Sequence, residues 1–101
     1  MKNVNVIQVV SKKAPIITID PFTRAVYVRF SAKKVAKTIN DCDGGVIVNF
    51  DVDARGDVVG VELIGVEKVS IAKMGKILSK RISNLPDLSK AEIDAEAALS
   101  V

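Results

Sequence analysis

The strongest constraint on the fold of this chain lies between residues 46 and 63. Val46, Val48, Phe50 and Val52 alternate with Ile47, Asn49, Asp51 and Asp53; after Asp53-Ala54-Arg55-Gly56-Asp57, a second apolar series returns through Val59, Val61 and Leu63. A period of two places successive side chains on opposite faces of a strand. A short turn with a glycine free to take positive φ joins two such strands as a hairpin. One face of that hairpin is apolar and needs a layer to cover it.

The preceding residues supply further strands. Ile17 and Ile19 share a face against Thr18 and Asp20, and Asp20-Pro21 ends the run because proline lacks the ladder N–H. Residues 25–30 set Val26, Val28 and Phe30 against Tyr27 and Arg29. Residues 3–10 read as a strand of mixed pattern, residues 33–39 as a short strand or extended segment, and residues 40–45 as a loop rich in turn formers. On the face away from the core, Arg29, Asp51 and Glu62 are placed for cross-strand ion pairs.

From Ser70 the period becomes helical. Ile71, Met74, Leu78 and Ile82 form one stripe behind Ser70 as N-cap, and Lys73, Lys76 and Lys80 form the opposite stripe. Gly75 lies beside the apolar stripe, where it is expected to let the helix approach the sheet closely. Asn84 and Pro86 end this helix. Ser89-Lys90-Ala91-Glu92 has capping-box spacing and predicts a second, alanine-rich helix over 89–100. The expected fold is α+β: a twisted antiparallel β-meander of five to six strands followed by one long and one short C-terminal α-helix. At 101 residues this is one domain, with residues 1–69 as the meander and 70–101 as the helical segment.

The formal net charge of +3 conceals segregation: residues 1–40 carry +7, 41–67 carry −6, 68–83 carry +5 and 84–101 carry −3. Such blocks neutralise one another within a fold or mark surfaces that meet across a homodimer. The sharper alternative takes Lys68, Lys73, Lys76, Lys80 and Arg81 as an interaction face tracking phosphates or an acidic partner. No aromatic residue interleaves with those cations to stack bases.

Several chemistries find no support. The chain has no histidine, and its single Cys42 sits between Asp41 and Asp43, whose charge opposes thiolate formation. Asp51, Asp53, Gly56 and Glu62 match positions one, three, six and twelve of a calcium loop, but Arg55 puts a cation where the fifth-position oxygen belongs, and strand patterns flank it. No catalytic, cofactor-binding or metal-ligating residue is assigned and no cofactor is expected. No apolar run is long enough to cross a bilayer, and the N-terminus lacks the order of a signal peptide, so the expected location is cytoplasmic. The leading expectation, read from the amphipathic, charge-segregated surface, is a non-enzymatic protein-interaction module that forms a homodimer and binds a protein partner; a nucleic-acid-binding module is the alternative.

Two stretches resemble the family catalogued as domain of unknown function 2283. The first is Ile19-Asp20-Pro21 followed by Ala25-Val26-Tyr27-Val28-Arg29-Phe30. The second runs from Val48-Asn49-Phe50-Asp51 through Asp53-Ala54-Arg55-Gly56-Asp57 to Val59-Gly60-Val61-Glu62-Leu63. Together they span about residues 17–69. The resemblance implies a small β-meander without established activity. Since family members are often encoded beside small toxin-like proteins, it also implies an antitoxin-like or inhibitor-like partner protein.

Overall fold

The computed structural model describes residues 7–10, 13–20, 22–65 and 70–94. Six strands form one sheet: β1 (Ile16–Asp20), β2 (Ala25–Arg29), β3 (Lys37–Asp43), β4 (Val46–Val52), β5 (Val58–Ile64) and β6 (Glu92–Asp94). One helix, α1 (Ile71–Ser79), and a single 3₁₀ turn (Leu88–Lys90) complete the described elements. The sheet order is β3-β4-β5-β2-β1-β6; β6 runs parallel to β1, and every other pairing is antiparallel.

This corrects the expected meander. β2 pairs with β5, setting Val26 opposite Leu63 and Val28 opposite Val61, and not with β3. Strands β3, β4 and β5 are joined by tight turns, and β5 returns beside β2, which gives β2–β5 the arrangement of a Greek key. The physical reason is apolar content. β4 and β5 carry the longest buried faces and take central positions, whereas β3 offers one aliphatic residue, Ile39, and belongs at an edge. Residues 30–36 cross the end of the sheet to reach it. A register shift at Asp51/Val52 leaves Val59 as an extra residue in β5, and its carbonyl accepts from the Phe30 N–H (2.8 Å) and Ser31 N–H (3.2 Å).

The C-terminal part also departs from expectation. α1 begins as predicted, with the Ser70 hydroxyl accepting from the Lys73 N–H at 3.2 Å, but it spans nine residues and is not long. Ile82 leaves the helix and forms an isolated parallel bridge with Ile7, the described end of the predicted first strand, whose residues 3–6 lie outside the described residues. The predicted second helix is replaced where it can be seen. Asp87, not Ser89, caps the 3₁₀ turn through the Ser89 N–H and hydroxyl, and the Glu92 N–H donates to the Pro15 carbonyl as β6 joins β1. A short isolated helix is marginal in water; strand pairing covers the otherwise open edge of β1. Residues 95–101 lie outside the described residues. Among those described, no helix is long and apolar enough to cross a membrane.

One sheet face forms the core. Ile17, Val26, Val28, Val48, Phe50, Val61 and Leu63 are buried there together with Met74, Ile77 and Leu78 of α1, and Val9, Ile82 and Leu88 close the periphery. Gly75 does not provide the expected close approach, since a methyl group built on it meets nothing within 4 Å. Replacing it with alanine removes the helix penalty of glycine without a clash. Gly75→Ala is therefore expected to raise stability by about 0.5–1 kcal/mol in denaturant unfolding.

Candidate interaction surface

β3 and β4 are joined by Gly44-Gly45. Gly44 has φ 61° and Gly45 is not in the positive region, the pattern of a type II′ hairpin turn. In a two-residue hairpin the flanking pair, here Asp43 and Val46, is hydrogen-bonded through both backbones. Alternation then turns the backbone groups of Lys37, Ile39, Asp41 and Asp43 towards β4, and those of Thr38, Asn40 and Cys42 away from the sheet. The outer edge is thus a row of backbone donors and acceptors. Among the described residues, the Asp41 carboxylate covers part of it by accepting from the Cys42 N–H at 2.8 Å.

The side chains of β3 divide between the two sheet faces. On the helix side, Asp41 is paired with the Arg81 guanidinium, and Asp43 with Lys80 at 2.9 Å. This is why acidic residues lie in a strand that the turn-rich composition of residues 40–45 marks as a loop: the end of α1 supplies their counter-charges. Arg81, and then the Cys42 N–H, hold the Asp41 carboxyl below its ordinary range. Lys37, by contrast, has no carboxylate partner among the described residues.

The opposite face carries a polar network. The Tyr27 hydroxyl donates to Asp51 at 2.8 Å and the Thr38 hydroxyl to the same carboxylate at 2.6 Å; Asn40 donates to Asn49 at 2.9 Å. Tyr27 crosses over Gly60 on the intervening strand to reach Asp51, and any β-carbon at position 60 would collide with its ring. Burial, followed by the Asp51 hydrogen bond, pushes the Tyr27 hydroxyl upward, so it remains a proton donor. The predicted ion pairs of Arg29 with Asp51 and Glu62 do not form. Arg29 lies over the Tyr27 ring instead, 5.7 Å from its centroid.

The predicted basic face is divided. Lys68 lies outside the described residues. Lys73 and Lys76 are exposed on α1 without a carboxylate partner among the described residues, whereas Lys80 and Arg81 are committed to β3. The calcium-like segment is likewise engaged internally: the Asp53 carboxylate accepts from the N–H groups of Arg55 (2.9 Å) and Asp57 (3.0 Å), which shape the β4–β5 turn. An open hollow of about 650 Å³ near the start of β1 is lined by Val10, Ile16, Phe30 and Ala32 together with Lys13, Arg29 and Lys33. The outward backbone of β3 is the feature that sequence reading missed. Its available signal was Gly44-Gly45, a two-residue hairpin turn that requires a strand on each side.

Comparison of the chain with protein-family models, with curated proteins and with solved structures returns no match.

A carboxyl whose folded pKa is depressed contributes stability that is complete above its unfolded value, about 4, and is lost as pH falls through the folded value. The contribution of Asp41 is therefore present at neutral pH and disappears in the window below about pH 4. Denaturant unfolding is expected to show Asp41→Asn less stable than the natural chain at pH 7, with the difference narrowing on acidification below pH 4. Parallel pH curves would show that the Arg81 contact contributes nothing.

Proposed function

We propose that this chain is a small non-enzymatic protein-interaction module that engages its partner through the free edge of β3. The observation carrying this reading is a seven-residue strand at the sheet edge, ordered by a tight hairpin and by the Asp41 and Asp43 contacts, with outward backbone groups at Thr38 and Asn40. An extended segment adds to such an edge by main-chain hydrogen bonds. The resemblance of two stretches to the domain of unknown function 2283, which no family model match accompanies, would imply the same direction, because an antitoxin-like or inhibitor-like protein acts by binding another chain.

The nucleic-acid reading is weaker on the same geometry. Pairing of Lys80 and Arg81 with carboxylates leaves Lys73 and Lys76 as the uncommitted cations of the described basic face. Two lysines release few counterions from a phosphate backbone.

Asn40→Pro tests the proposal. It removes an N–H that points away from β4, a position at which an edge strand tolerates proline. Tagged chain recovered from its native cells is expected to bring down a protein in stoichiometric amount, an untagged second copy included. Recovery should resist nuclease, fail for Asn40→Pro and persist for Lys73→Glu/Lys76→Glu. Loss of the recovered material on nuclease treatment, or indifference to Asn40→Pro, would overturn the proposal.

A further inference from the structure

An exposed edge pairs with many extended segments, so the pattern of charge along it has to identify the occupant. The relevant sequence is Lys37-Thr38-Ile39-Asn40-Asp41-Cys42-Asp43. Two copies related by a twofold axis pair antiparallel, and the axis passes either through a hydrogen-bonded pair, at Thr38, Asn40 or Cys42, or through a non-hydrogen-bonded pair, at Ile39 or Asp41.

These registers differ in charge: with Asp41 on the axis the two aspartates oppose each other, and with Ile39 on it only residues 37–41 overlap and Lys37 faces position 41, whose aspartate already holds Arg81. With Cys42 on the axis, Asp41 faces the partner copy's acidic position 43, and like charges oppose twice. With Thr38 on the axis, Lys37 faces an isoleucine and the overlap shrinks to the start of the strand. With Asn40 on the axis, all seven residues overlap, and Lys37, which lacks a carboxylate partner among the described residues, faces an aspartate of the other copy in both symmetric positions. Charges on an edge strand ordinarily repel a second copy; here their order along the strand favours one.

From this self-complementarity we infer that β3 pairs with β3 of a second copy about a twofold axis at Asn40, joining two six-stranded sheets into one. The inference rests on the reading of β3 as the contact element. The two Asn40 residues exchange both backbone hydrogen bonds, and each Thr38 N–H donates to a Cys42 carbonyl across the axis. The Cys42 N–H turns from the Asp41 carboxylate to the opposing Thr38 carbonyl, and Asp41 keeps Arg81. On the helix side, Lys37 of one copy joins the Asp43–Lys80 pair of the other. The twofold pairing uses the same edge of both copies, so it closes as a dimer.

The register makes a covalent prediction. Positions 38 and 42 of opposing copies lie about 5.5 Å apart between Cα atoms, within disulfide reach. The two Cys42 residues are about 13 Å apart along the strands. Under mild diamide oxidation, Thr38→Cys is therefore expected to give a disulfide-linked dimer, and the natural chain is not.

Sedimentation equilibrium of the purified chain, with no other protein present, should show a dimer for the natural sequence and a monomer for Asn40→Pro, with unchanged circular dichroism. Lys37→Glu leaves the backbone untouched, keeps the fold and places like charges opposite in both symmetric positions. It should weaken the dimer by about tenfold. A natural chain that sediments as a monomer overturns the self-pairing; if Asn40→Pro still abolishes capture of a different protein, the interaction reading survives, and if it does not, both fall. A dimer unaffected by Asn40→Pro and Lys37→Glu overturns β3 as the interface. Ready cross-linking of the natural chain through Cys42 overturns the register.

Discussion

The pairing of β2 with β5 is the constraint on which the rest of the structure depends. It brings Val26 and Val28 against Leu63 and Val61, and burying a side chain of this size contributes about 1.5–3 kcal/mol. Reaching this arrangement requires residues 30–36 to cross the end of the sheet. Loop closure costs little in comparison, since each doubling of loop length adds only about 0.6 kcal/mol. The crossing segment is also anchored by the extra residue at Val59, whose carbonyl takes two of its N–H groups. Once β2 occupies one side of β5 and β4 the other, β3 has a single neighbour and an open flank among the described residues.

Charge segregation follows from the same placement. The acidic residues of β3 meet the basic end of α1, so two blocks that alternate in sequence neutralise each other in space through Asp41–Arg81 and Asp43–Lys80. Partly exposed pairs of this kind contribute little to stability. Their effect is directional: they seat the end of the helix over the edge strand and withdraw two cations from any external anion. The polar face of the sheet is ordered by a different device. Gly60 lacks the side chain that would block Tyr27 from spanning a strand to reach Asp51, so one hydrogen bond ties β2 to β4 across β5.

Legibility in the sequence tracked apolar periodicity. β1, β2, β4 and β5 announce themselves by alternation, and Ser70 followed by Ile71 and Met74 marks the start of α1. The order of strands did not emerge, because alternation reports which face is buried and says nothing about which neighbour lies alongside. β3 was read too early and ended too soon, since Asp41, Cys42 and Asp43 resemble a loop until the counter-charges of Lys80 and Arg81 are placed above them. β6 was concealed by a capping-box pattern at Ser89 to Glu92; the structure uses Asp87 as the cap and spends Glu92 on pairing with β1. The candidate surface was missed for a related reason. Side-chain charge points to the helix, whereas the proposed contact groups belong to the backbone of an edge strand.

The most direct test of this account is a measurement of cross-strand nuclear Overhauser contacts in isotope-labelled protein. Backbone contacts of Tyr27 with Glu62, and of Val26 with Leu63, are predicted, with β3 showing intramolecular contacts to β4 alone. Contacts between β2 and β3 would restore a simple meander, place β3 inside the sheet and remove the edge on which the functional reading stands.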